Sequence, residues 1–504
     1  MTRFTQRSVV LVLSCAPFLL VGCGTSSTIK DDAAPKDDAA PRSADGPATT
    51  IDLLAVPMPD AIVIVDVAPL LPPDGSVGGQ ADAADAGAVA DALASADDSG
   101  AAPDSLPVAC GFHGGSVLSD LTLTKACSPY SISQSIEVNG GAVLTIEPGV
   151  TLSFDGDVVI QIGNTNLGKL VAVGTAQDPI TFTSAETPPL AGDWAGIRLV
   201  DGTAAGTKIA YARLDYCGAD RSACIVGDGV PPNAVTIDHV TIDHVGLDSD
   251  GILQWDFASN FVITNSTFSN IPDGQYAISV QASSFAGIGA NNTFNGGAMI
   301  EIAGGTISST TSWGDPGTAI AVTGAVWIEG SDSPVLTLGA GMTLMFAATS
   351  PPLPFSVGYG APGSLVIAGT PATGKRVVLT SLAASPDQGD WVGVEVWADG
   401  AAHISYADIS YAGSDSLGGG DLILENGNST SQIVVDHSSF TYSRGYGIYL
   451  DCAAPAVITP LATVTLNAGI TYEFNESDIG NSGDPADNVG PGLKGPDCSI
   501  HHHH

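Results

Sequence analysis

Six residues within a short span carry groups that could do chemistry: Asp238, His239, Asp243, His244, Asp248 and Asp250. Paired carboxylates can act as general acid and base, and a histidine between them can shuttle a proton. The same span also reads as a plain turn-strand-turn, DHVTIDHV, and Asp436-His437 recurs at a matching place much later in the chain. A duplicated turn explains both copies. With 15 Lys and Arg against 53 Asp and Glu, the chain is also poorly equipped to hold a polyanionic sugar. No catalytic residue is therefore assigned, and Asp238, His239, Asp243 and His244 stand as the candidates. Asp248-Ser249-Asp250-Gly251 begins like a calcium loop but lacks the later acidic ligand at the required spacing. Turn composition explains it, and calcium is the one cofactor that Asp248 and Asp250 would suggest.

Other apparent motifs dissolve in context. GTPATGKR at 369–376 is one residue short of a phosphate-binding loop, places Arg376 where the magnesium-holding hydroxyl belongs, and precedes a strand rather than a helix. Gly358, Gly360 and Gly363 lack the strand-helix setting of a dinucleotide site. Trp194 and Trp391 lie in equivalent GDW segments, which favours packing over sugar stacking, whereas Trp255 and Trp397 have no such counterpart and are freer for a binding face. The four histidines at 501–504 could bind metal or be a tag remnant. Of eight cysteines, Cys15 falls in the leader and Cys23 directly follows it; the six others are even in number and suit disulfides, with sequence neighbours suggesting Cys110–Cys127, Cys217–Cys224 and Cys452–Cys498. No Cys-x-x-Cys supports a zinc or redox site.

The elements that would position these groups show in a repeat. HVTID, NSTFS and NNTFN put Ile242, Phe268 and Phe294 at a spacing of 26, flanked by Thr241, Thr267 and Thr293 on one side and Asp243, Ser269 and Asn295 on the other. A short β-type core per period of this size signals a solenoid, each period being one coil. The apolar column then stacks inward and the threonines outward. Asn265 and Asn291, with His239 one coil earlier, form a turn ladder that can hydrogen-bond along the stack. Short alternating runs predict strands at 143–146, 151–154, 170–173, 180–183 and 197–200. No stretch reads as a long amphipathic helix. About fifteen coils at about 4.8 Å would make a stack on the order of 70 Å long. The atypical segments 110–130 and 481–498 suit end caps.

The repeat has a second order. LTIEPGVTLSF at 144–154 returns as LTLGAGMTLMF at 336–346, GDWAGI at 192–197 as GDWVGV at 389–394, and IAYARLDYCG at 209–218 as ISYADISYAG at 404–413. The expected architecture is all-β: a right-handed parallel β-helix solenoid of two homologous lobes, 109–310 with an N-terminal cap and 311–500 with a C-terminal cap. The succession LTIEPGVTLSF, LVAVGTAQDPITFTS, GDWAGI, IAYARLDYCG resembles bacterial right-handed parallel β-helix repeat proteins of the pectate-lyase-like superfamily, over roughly 130–480. The resemblance implies a fold and a surface setting. Its motifs build coils and imply no activity, although many members of that superfamily cleave or epimerise acidic polysaccharides.

Ahead of the solenoid, Arg3 and Arg7 precede an apolar run at 8–22 and then Cys23, the pattern of a secretory signal. Leu20-Val21-Gly22-Cys23 resembles the lipobox of bacterial lipoproteins, which implies cleavage after residue 22 and lipidation of Cys23. Residues 23–108 are rich in Ala, Asp and Pro, with fifteen Asp against Lys30, Lys36 and Arg42. Such a segment buries too little apolar surface to order itself and reads as a disordered acidic tether, on the order of 280 Å fully extended. The formal net charge of −38 disfavours nucleic acid. The expectation is a lipid-anchored cell-envelope protein, at the outer membrane or cell surface. Its role would be non-enzymatic display, adhesion or envelope architecture, with a glycan or surface protein as partner. The alternative is a surface-held polysaccharide lyase or hydrolase.

Overall fold

The computed structural model describes residues 108–502 apart from 220–222, 232–233, 255–260, 414–418, 428–430, 453–462, 467–470 and 474–498. The signal, Cys23, the tether up to residue 107, Trp255, Cys498 and the C-terminal cap segment lie outside the described residues.

The alternation of apolar and polar residues becomes a coil with three faces. Gly196–Leu199, Thr207–Asp215 and Ala223–Gly227 follow one another, and the third stacks in parallel on the first. All strand pairs among the described residues are parallel, in sheets of 14, 11, 6 and 7 strands. The chain is a right-handed parallel β-helix. The strands predicted from alternation are present as Val143–Ile146, Thr151–Phe154, Lys169–Val173, Ile180–Ser184 and Gly196–Leu199. Coil length is not constant: it runs from 20 residues, Ile300 to Ile320, to 39, Phe355 to Val394. Loops leaving the corners absorb the difference. The segment 110–130 is more than a cap. It already supplies Gly115–Val117 and Leu121–Leu123 to the first coil, and the Cys110–Cys127 disulfide and the 3-10 turn Val108–Gly111 lie beside them.

The register of the apolar column is as the spacing requires. Ile242 stacks on Phe268 and Phe268 on Phe294, with Thr241, Thr267 and Thr293 in the adjacent row. Ile242 and Phe268 are buried, and the Phe268 and Phe294 rings are parallel with centroids 5.4 Å apart. Phe294 is only partly buried, because the strand Thr293–Phe294 ends its sheet. Trp194 and Trp391 are 0% exposed and lie flat on Phe154 and Phe346, with centroids 4.2 and 4.0 Å apart. Each indole N–H donates to a backbone carbonyl, of Asp215 and Ser410 respectively. In the two GDW motifs Gly196 and Gly393 have φ of +111° and +121°, and a Cβ there would meet the carbonyl oxygens of Cys224 at 2.5 Å and Gly420 at 2.2 Å. Glycine recurs because the next coil's backbone occupies the space.

The two homologous lobes share the 14-stranded sheet, but their corresponding strands lie in different sheets. Gly196–Leu199 lies in the 14-stranded sheet, whereas its counterpart Gly393–Val396 lies in the six-stranded one. Conversely Ile180–Ser184 belongs to the 11-stranded sheet and its counterpart Val377–Ser381 to the 14-stranded one. The second lobe is therefore stacked on the first with its coil turned by one face. The turn is made through two short coils, Ile278 to Ile300 and Ile300 to Ile320, of 22 and 20 residues.

A candidate site at the coil corners

The long strands Thr207–Asp215 and Val235–Asp243 each cover two faces of the coil. They bend at Tyr211 and His239, whose φ values are 46° and 54°. The next coils bend at Asn265 and Asn291, and the second lobe at Tyr406 and His437. A second left-handed position follows five residues on in several coils: Tyr216, His244 and Asn270, then Tyr411 and Tyr442. A left-handed residue with a side chain costs backbone energy, and asparagine tolerates it best. Here the side chains stack along the solenoid. Tyr211 lies on His239 at 4.4 Å, Tyr216 on His244 at 4.8 Å, Tyr406 on His437 at 4.6 Å and Tyr411 on Tyr442 at 5.0 Å. The Asn291 side-chain amide donates to Asn265 Oδ1 at 3.1 Å, the ladder expected from the spacing.

The four catalytic candidates occupy these two corners. Asp238 Oδ1 accepts from Thr264 Oγ1 and Asn265 Nδ2, both at 2.8 Å, and lies 3.1 Å from His239 Nδ1. Burial alone would raise its pKa; the hydrogen bonds from Asn265, Thr264 and His239 outweigh that and hold it below the usual value. Asp243 is similar. Burial pushes upward, while Asn270, Arg213 and the His244 charge pull it below the ordinary carboxylate range. Asn270 Nδ2 donates to Asp243 Oδ1 at 2.7 Å, Arg213 Nη2 to Asp243 Oδ2 at 2.7 Å, and His244 Nδ1 lies 3.1 Å from Asp243 Oδ1.

Two members of this corner carried no motif in the sequence. Asp215 stacks in register on Asp243, and Arg213 on Thr241. Arg213 Nε donates to Asp215 Oδ2, so one guanidinium bridges two carboxylates on successive coils. Burial raises the Asp215 pKa despite the opposing pull of Arg213. The only available sequence signal was the pairing of IAYARLDYCG with VTIDHVTIDHV, which needs the coil register first. The second lobe repeats the plan with other residues. Asp436 Oδ1 accepts from Ser405 Oγ at 2.6 Å and lies 3.4 Å from His437 Nδ1.

Asp248 and Asp250 point to different surroundings. Asp248 is exposed with φ of 67°, while Asp250 is buried and accepts the Tyr276 backbone N–H at 2.7 Å. Burial, with the Glu301 charge adding to it, raises Asp250 to about 7. The phosphate-loop look-alike is used structurally: Arg376 pairs with Asp408 and Lys375 lies 3.4 Å from Asp315. Trp397 is half-buried, with Tyr359 edge-on at 4.7 Å. Cys217–Cys224 is bonded, beside the first-lobe corner.

Residues 115–270 match the family described as "Pectate-lyase like beta helix domain". A 71-residue stretch is 46% identical to "Protein bark beetle" of Drosophila melanogaster, covering 14% of this chain and 2% of that protein. No solved structure matches the chain. The family match extends over the first-lobe corners and stops where the Phe268 coil ends.

Proposed function

We propose that this chain is a lipid-anchored protein of the cell envelope whose β-helix displays a binding surface, for a glycan or another surface protein, without turning its partner over. One observation carries the reading. Asp238 and Asp243 are tied by Asn265, Asn270 and Arg213 of neighbouring coils, and the same Tyr-on-His corner recurs at Tyr406 and His437. A carboxylate engaged in holding coils together, in a device repeated through the stack, serves the scaffold. Anchoring through Cys23 and exposure at the outer membrane belong to the same proposal. They rest on the apolar run, the lipobox-like tetrapeptide and the acidic stretch behind it.

Two measurements test it. Cys23→Ser should abolish palmitate labelling and release the protein from the membrane fraction. Unchanged labelling would end the anchor. Purified protein incubated with polygalacturonate and other acidic glycans should give no unsaturated or shortened products at any pH between 5 and 9. Turnover that disappears in His244→Gln would replace display with the lyase or hydrolase reading.

A further inference from the structure

We propose that Asp215, Asp243 and His244 form a binding site for a divalent transition-metal ion such as zinc. Each of the three can offer one ligand atom, and these atoms lie within 4.8 Å of one another. The atoms around a tetrahedral zinc stand about 3.4 Å apart, given bonds of about 2.1 Å. His244 Nδ1 and Asp243 Oδ1, at 3.1 Å, are already near that separation. Asp215 would close the remainder by a small side-chain rotation.

An independent observation points to a missing partner. Asp215 is 7% exposed, and its Oδ1 is shut off from solvent with no hydrogen-bond partner. His244 Nδ1 is likewise enclosed and, for all its proximity to Asp243, makes no hydrogen bond. A buried polar atom left unpaired has lost its water with nothing in return. In register, Asp215 and Asp243 also set two like charges directly opposite each other, which is unfavourable. A cation between the free oxygen, the second carboxylate and the free imidazole nitrogen relieves all three.

The surroundings resemble the outer support of a metal site. Arg213 holds Asp215 Oδ2 and Asp243 Oδ2, and Asn270 holds Asp243 Oδ1. The His244 ring is fixed on Tyr216. Such contacts orient ligands and tune the ion. The guanidinium charge lowers the affinity relative to two bare carboxylates. One imidazole and two carboxylates favour zinc, nickel or manganese over calcium, which takes six to eight oxygens.

The neighbouring corner is a built-in control. His239 and Asp238 have the same sequence relation, and the two histidine side chains are almost equally open, 41% and 42%. Asp238, however, stacks on Ala210 rather than on a carboxylate, so the third ligand is missing.

The test uses the unaltered full chain, with zinc chloride as probe and diethyl pyrocarbonate modification read residue by residue by peptide mass spectrometry. Zinc on Nδ1 leaves Nε2 protonated and unreactive. Zinc should therefore suppress modification of His244 and leave His239 at its metal-free rate. Because the readout is per residue, zinc held by the histidines at 501–504 does not enter it. Asp215→Asn should weaken the protection of His244 by at least roughly tenfold in zinc concentration, since even the loss of an outer support costs roughly ten- to a hundredfold. If Asp215→Asn fails to fold, the contrast between His244 and His239 in the unaltered chain decides alone. Equal protection of both histidines, or of neither, overturns the proposal.

Discussion

Phe268 and Thr267 are adjacent in sequence and opposite in fate, and that contrast sets the register of the whole stack. Phe268 is buried between Ile242 and Phe294, so Phe268→Ala should cost about 3–5 kcal/mol in chemical denaturation. Thr267→Ala should cost about 0.5–1 kcal/mol. Equal losses would mean the register is wrong. Phe294→Ala should fall between them, because Phe294 is only partly covered. This column was legible because spacing and residue type agreed. The burial of Asp250 was not, since nothing in SDG separates a turn carboxylate from a buried one that caps the next coil's Tyr276 N–H. Its consequence is a pH dependence. The folded pKa, about 7, lies above the unfolded value of about 3.9, so the native state keeps the proton longer. Stability is therefore lost as pH rises from about 4 to about 7, by at most about 4 kcal/mol from this group. Asp250→Asn keeps an acceptor for Tyr276 and should be more stable than the parent at pH 8 but not at pH 4. Asp421, fully buried and also raised, adds a loss of the same sign in both proteins. Identical pH profiles of parent and variant would show that Asp250 is ionised at little cost.

At the scale of the element, the corner is the unit that sequence half revealed. The Asn265–Asn291 ladder, with His239 one coil earlier, followed from spacing, but tyrosine at the same left-handed position did not, because propensity argues against it there. Stacking between successive coils overrides that propensity: Tyr211 lies on His239 and Tyr406 on His437. The hydroxyl after the corner has a role in both lobes. Ser266 and Ser438 accept the backbone N–H groups of Val240 and Ala407 where the strand bends away from its ladder. Asn265→Ala should cost about 1–3 kcal/mol, from the strained φ and the lost bond to Asp238. Asn265→Gly should recover part of that, since glycine accepts φ of 52° freely. Urea denaturation of the pair decides. If glycine is no better than alanine, the backbone conformation is not what asparagine supplies.

On the scale of the whole molecule, the sequence showed two lobes but not how they join. Matching motifs at offsets near 195 fix which strands correspond, yet the offset is silent about which face each copy occupies. That depends on the short coils between Ile278 and Ile320, where two successive turns lose residues and the second copy emerges rotated by one face. The 14-stranded sheet passes through this junction in register, Ile278 to Ile300 to Ile320 to Leu344. Each coil in a solenoid is stabilised chiefly by its neighbours. A junction with an unbroken ladder should therefore transmit cooperativity, whereas two lobes merely abutting would open independently. Native-state hydrogen exchange separates the cases. In Phe268→Ala, the free energy for opening the strands around Ile160 and around Leu344 should fall together, by nearly the loss of global stability. A fall confined to the first lobe would mean that the rotated coils act as a boundary between two folding units.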